Sequence, residues 1–134
     1  MARVINVEGI GKTYAEKLKA VGIMTTEELL EQCNTKKERA DMAEKTGISE
    51  KLILEWVNLA DLFRVKGVGE QYSDLLEEAG VDTVAELAQR NPANLYAKMV
   101  EVNNMKNLVN RVPPLSFVED WVKQAKALPR VVEY

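Results

Sequence analysis

The sequence predicts an all-α fold, two tandem repeats packed as one compact helical body, and three observations carry the prediction. Residues 65–90 repeat residues 7–32 at an offset of 58, apolar residues after each glycine pair fall at helical spacing, and Thr-x-x-Glu caps recur between the helices. Strands find little support, because β-branched residues are scattered and only Arg3 to Val7 alternates weakly.

The two segments are VEGIGKTYAEKLKAVGIMTTEELLEQ and VKGVGEQYSDLLEEAGVDTVAELAQR. Val7, Gly9, Gly11, Tyr14, Leu18, Gly22, Thr25, Glu28 and Leu29 recur as Val65, Gly67, Gly69, Tyr72, Leu76, Gly80, Thr83, Glu86 and Leu87. After Gly11, the residues Tyr14, Ala15, Leu18 and Val21 share one stripe, and Tyr72, Leu76 and Ala79 do so after Gly69. Each of these amphipathic helices ends at a glycine, Gly22 or Gly80, that suits the left-handed position of a Schellman cap. The pairs Thr25/Glu28 and Thr83/Glu86 have capping-box spacing and start the next helix. Thr35/Glu38 and Ser116/Glu119 share that spacing and predict two more starts, while Asn91-Pro92 supplies an N-cap followed by proline.

Further along, LILEWVNLA (52–60) aligns with FVEDWVKQA (117–125), pairing Trp56 with Trp121 at an offset of 65. The second copy is therefore seven residues longer. The extra length falls in VNNMKNLVNRVPP, where four asparagines weaken a helix and Pro113-Pro114 is expected to end it. Both tryptophans lie at core spacing, Trp56 with Ile53, Ala60 and Phe63, and Trp121 with Val118, Ala125 and Leu128. The repeats are assigned to residues 1–58 and 59–134, and the helix from about Ser49 to Phe63 leads straight into the second glycine turn. The closing stretch LPRVVEY is apolar, which suits packing on the core or docking a partner.

Composition narrows the chemistry. The chain has 134 residues, no histidine and one cysteine, Cys33, so it cannot build a Ser-His-Asp triad, a Cys-His pair or an ordinary zinc site. No enzyme, catalytic residue, metal or cofactor is expected. No apolar run approaches the roughly 18 residues of a membrane span, no signal peptide is recognisable, and a lone thiol fits a reducing cytoplasm. The net charge of −3 argues against a strongly basic surface, though a local basic patch can exist within an acidic total.

Gly11-Lys12-Thr13 looks like the end of a nucleotide phosphate loop, but the loop needs a glycine five positions earlier and Asn6 stands there. A dinucleotide fingerprint needs a third glycine where Tyr14 lies. In the second copy Glu70 and Gln71 replace Lys12 and Thr13, so what recurs is what a backbone turn requires.

Gly9-Ile10-Gly11 with Ala15 and Leu18, and Gly67-Val68-Gly69 with Ser73 and Leu76, resemble the helix-hairpin-helix motif. The first copy also resembles the small N-terminal domain of archaeal-type recombinases, where a second hairpin follows; EKTGISEKLILEW (44–56) is similar to that one. Over almost the whole chain the arrangement resembles an uncharacterised prokaryotic family known as a domain of unknown function. Gly80-Val81-Asp82-Thr83 superficially resembles the aspartate segment of helix-hairpin-helix glycosylases, but it lies too close behind the hairpin, and Thr83 as a cap explains it better.

The hairpin resemblance implies binding of the DNA backbone without reading sequence. Its residues here are Gly9, Gly11, Lys12, Thr13 and Lys17 in the first copy and Lys66, Gly67 and Gly69 in the second. Glycines permit close approach to phosphate, and the N–H groups opening the next helix point at the anion. Lys19, Lys45 and Lys51 would enlarge the first patch if the fold gathers them, whereas Glu70 and the acidic residues after it oppose an anion at the second. The alternative is a protein-interaction or assembly module on the same fold without DNA.

Overall fold

The computed structural model describes residues 3–7 and 9–134. Among them are eight α-helices and no strand; one isolated bridge joins Arg3 to Thr25. The fold class is therefore all-α. The chain divides into two compact units, Met1–Asp61 with Arg130–Tyr134, and Leu62–Pro129.

The first unit holds a short 3-10 helix, Val4–Asn6, then α1 (Lys12–Lys19), α2 (Thr26–Gln32), α3 (Lys36–Thr46) and α4 (Glu50–Leu62), whose last residue opens the second unit. The second holds α5 (Glu70–Glu78), α6 (Val84–Gln89), α7 (Pro92–Lys106) and α8 (Leu115–Ala127).

Helix ends follow the local chemistry. α1 stops where Ile23 N–H donates to Leu18 O (2.9 Å) and Gly22 N–H to Lys19 O (3.0 Å), with Gly22 at φ +85°. α5 stops in the same way, with Val81 N–H on Leu76 O (2.8 Å) and Gly80 at φ +98°. These are Schellman caps, and the positive φ is what calls for glycine. Thr25 with Glu28 and Thr35 with Glu38 form complete capping boxes. Thr83 supplies half of one, accepting from Glu86 N–H at 3.0 Å, and Asn91 caps α7 with proline at its first position.

Two expected boundaries differ. Ser116 does not cap α8; Pro114 occupies the N-cap, where its fixed φ of −65° already suits a helix start, and Ser116 falls inside the first turn. Nor do the prolines end α7. Asn107, at φ +50°, ends it, and the Asn103 side chain holds the exit by accepting from Val109 N–H (2.9 Å) and donating to Val109 O (3.0 Å). Asparagine tolerates the left-handed region, so it stops the helix six residues before the prolines.

Each unit has its own tryptophan. Trp56 is buried with Leu18, Ile23, Leu29 and Ile53, and Trp121 with Leu75, Leu76, Leu87 and Met99. Tyr14 packs on Trp56 at 5.0 Å between ring centroids and Tyr72 on Trp121 at 5.5 Å. Rings so placed are core, not platforms for bases.

The last residues return to the first unit. Val132 is buried, Glu133 N–H donates to Asn34 O at 2.7 Å, and Tyr134 Oη donates to Asn58 Oδ1 at 2.8 Å. Arg39, only 4% exposed, donates to Cys33 O and to Glu133 O, so its charge is satisfied by two carbonyls and fastens the strap. Burial, helped by Glu38, pushes the Cys33 thiol up to about 11, which leaves it protonated and inert at neutral pH.

Candidate functional site

The first glycine turn closes when Ile10 N–H donates to Val7 O at 3.0 Å, with Gly9 at φ +88°. A Cβ on Gly9 would also lie 3.3 Å from Trp56 Nε1, so this glycine serves both the turn and the core. Gly11 differs. Its φ is −79°, open to any residue, and no heavy atom lies within 4 Å of where its Cβ would be. It is the N-cap of α1, with no side-chain cap.

Ahead of the first intrahelical bond, Ala15 N–H to Gly11 O, stand the N–H groups of Lys12, Thr13 and Tyr14. Lys12, Thr13 and Lys17 are exposed, and no carboxylate lies in the first turn. Lys17 Nζ stands 6.0 Å from the Tyr14 ring centroid, which orients it over the same helix. Gly9, Gly11, Lys12 and Thr13 thus follow one another through the turn and the start of α1, whereas Lys17 lies in the last turn of that helix. Lys45 falls elsewhere, lining a hollow with Glu31, Glu38 and Asp41, where carboxylates offset its charge.

The second turn has the same frame. Val68 N–H donates to Val65 O at 3.1 Å, Gly67 lies at φ +96°, and its Cβ would meet Trp121 Nε1 at 2.9 Å, closer than in the first turn. Gly69 caps α5 as Gly11 caps α1, also with open space in front. The charge is reversed, because Glu70 opens α5 and Asp74 follows one turn on. Burial together with Glu78 and Glu70 raises the Asp74 carboxyl above the ordinary 3.8, only partly offset by Lys106. Lys66 is exposed, but its backbone is occupied: its N–H donates to Gln124 Oε1 (2.8 Å) and its carbonyl accepts from Gln124 Nε2 (3.1 Å).

Gln124 escapes a sequence reading. The only signal is that it aligns with apolar Leu59, a contrast that has meaning once the turn beside it is seen. A cleft beside α1, lined in part by Arg3, Ile5 and Met24, is equally silent in the sequence. Among the described residues no group of acidic or cysteine side chains could hold a metal, and no helix is long and apolar enough to cross a membrane.

A family model described as a domain of unknown function (DUF4332) matches residues 8–128. No curated protein and no solved structure matches the chain.

Proposed function

The chain belongs to that family, whose description carries no activity, and we propose that it is a non-enzymatic module that binds the DNA backbone without reading sequence, through a helix-hairpin-helix-like turn at Gly9 to Thr13. The observation that carries this reading is Gly11. Neither backbone nor packing forces glycine there, since its φ is ordinary and its Cβ position is open, which leaves only the modest N-cap preference for it. A missing side chain at an uncapped helix start leaves room for an outside phosphate to reach the N–H groups of Lys12 and Thr13. Lys12 adds charge with no carboxylate in the first turn, and Lys17 follows in the last turn of the same helix.

Tandem helix-hairpin-helix units, the first like that of archaeal-type recombinases, fit this arrangement, with the second turn serving mainly the fold because Glu70 repels an anion. Lys66, Gly67 and Gly69 then contribute little. A buried lone thiol suits a cytoplasmic setting. The second reading, an interaction module that does not bind DNA, draws support from Ile5 and Met24, large apolar residues exposed on the first unit.

The test is a salt titration of binding to two duplexes of unrelated sequence. With about two to four phosphates neutralised, log K falls against log salt with a slope of roughly −2 to −4 and equally for both. Gly11→Val, allowed by the backbone, weakens binding while leaving the helical spectrum native. Strong preference for one sequence, or no binding at low salt, would refute the reading.

A further inference from the structure

One face of α1 carries Lys12, Ala15, Glu16 and Lys19, and it borders an open cleft of about 260 Å³. Val4 N–H donates to Met24 O at 3.0 Å and Arg3 bridges to Thr25, which fixes the cleft's far wall. Val4 and Ile23 are buried in its floor, whereas Ile5 (47%) and Met24 (41%) stand exposed on its rim. Three cations, Arg3, Lys12 and Lys19, line it against one carboxylate, Glu16.

The second unit shows what covers such a face. At the repeat offset, Lys12, Ala15, Glu16 and Lys19 correspond to Glu70, Ser73, Asp74 and Glu77. There α5 packs against α7, Ser73 is buried, and Asp74 and Glu77 are half-buried. Lys106 of α7 pairs with Glu78 and draws on Asp74, so the covering helix brings the charge that α5 lacks. In the first unit Ala15 is half-buried and Glu16 and Lys19 are exposed. The counterpart of α7 is α3, 11 residues against 15.

We propose that the cleft of the first unit is a docking groove for an acidic amphipathic helix of a partner protein. The occupant is a helix because a helix covers the equivalent face of α5. It is acidic because Lys12 and Lys19 stand where α5 has Glu70 and Glu77, and Arg3 joins them against the single carboxylate of Glu16; it is amphipathic because Ile5 and Met24 offer apolar contacts to residues spaced three or four apart. This inference rests on the cleft beside α1 and holds whether or not the glycine turn binds DNA.

The probe is a synthetic helix of about five turns, with leucine along one stripe and glutamate elsewhere, titrated into the isotope-labelled full chain and followed by amide shifts. The expected result is saturable shifts at Ile5, Ala15, Ile23 and Met24, with none from a peptide of the same composition whose leucines are scrambled off the stripe. Lys19→Glu and Met24→Glu, both at exposed positions, should each weaken binding by about tenfold or more, while Met105→Glu on the second unit leaves it unchanged. Equal binding by the scrambled peptide, shifts away from the cleft, or no binding at millimolar peptide would overturn the proposal. So would perturbation of the cleft by a short single-stranded oligonucleotide but not by the peptide. Duplex DNA binding measured on the same samples separates this outcome from the fate of the DNA reading.

Discussion

In the first unit Trp56 Nε1 stands 3.3 Å from where a Cβ on Gly9 would lie, and in the second Trp121 Nε1 stands 2.9 Å from that of Gly67. Both turns are built on a positive-φ glycine against an indole edge. Beyond that frame they part. The first opens onto Lys12 with no carboxylate in the first turn of α1, while the second opens onto Glu70 and has its Lys66 backbone bound by Gln124. One architecture therefore carries two surfaces. The first glycine of each pair closes its turn against the buried indole, and the second opens a helix whose first turn differs in charge between the two.

The largest expected effect tests the shared frame. Gly67→Ala is expected to cost about 2–5 kcal/mol, combining left-handed strain with overpacking against Trp121. Gly9→Ala should cost less, because its indole is further away, and Gly11→Ala and Gly69→Ala should stay within about 1 kcal/mol, the usual preference of an N-cap for glycine over alanine. Urea unfolding of the four variants gives the order directly. Equal losses at all four positions would break the division between turn and N-cap glycines.

The next effect concerns the strap, which only the first unit has. Arg39→Leu leaves the carbonyls of Cys33 and Glu133 without their donor and should cost about 2–4 kcal/mol. Hydrogen exchange at Val132 and Glu133 should speed up while the α6 and α8 amides keep their protection. Unchanged exchange in the strap would show that Arg39 does not fasten it.

The capping and turn chemistry is readable from the sequence because it depends on a few adjacent residues. Gly22, Gly80, Thr25, Thr35 and Asn91 each meet a local requirement, and the structure satisfies each one. Asn107 and Pro114 were harder, since two local stop signals competed and the outcome depended on Asn103 reaching Val109. Gln124, Arg39 and the cleft are long-range features. Gln124 meets Lys66 across 58 positions and Arg39 meets Glu133 across 94, separations at which no periodicity speaks. Of the candidate site, the glycines and lysines were legible, but the division of labour between Gly9 and Gly11 was not, because it turns on φ and on the place of one indole.

Gln124→Leu makes the second turn resemble the first, where Leu59 takes that position. Losing both bonds to the Lys66 backbone at an exposed turn should cost about 1–2 kcal/mol, read as a lower urea midpoint. No change would mean that apolar packing alone supports either turn.

The smallest effect is one of pH. The Asp74 carboxyl is raised above the ordinary 3.8 by burial and by Glu78 and Glu70, so its charged form costs the fold stability at neutral pH. That cost is relieved as pH falls through the raised value toward 3.8. Asp74→Asn should accordingly raise Tm at neutral pH, and the gain should fade on acidification. A gain that grows toward acid pH would contradict the sign.

The contrast between the turns is tested most directly by reversing their charges. Duplex DNA affinity is measured by fluorescence anisotropy at low salt for the unaltered chain, Lys12→Glu and Glu70→Lys, with circular dichroism to confirm native helicity. Lys12→Glu is expected to weaken binding by about tenfold or more, and Glu70→Lys to strengthen it by giving the second turn the charge the first already has. Native helicity with an affinity that neither exchange alters would contradict both expectations.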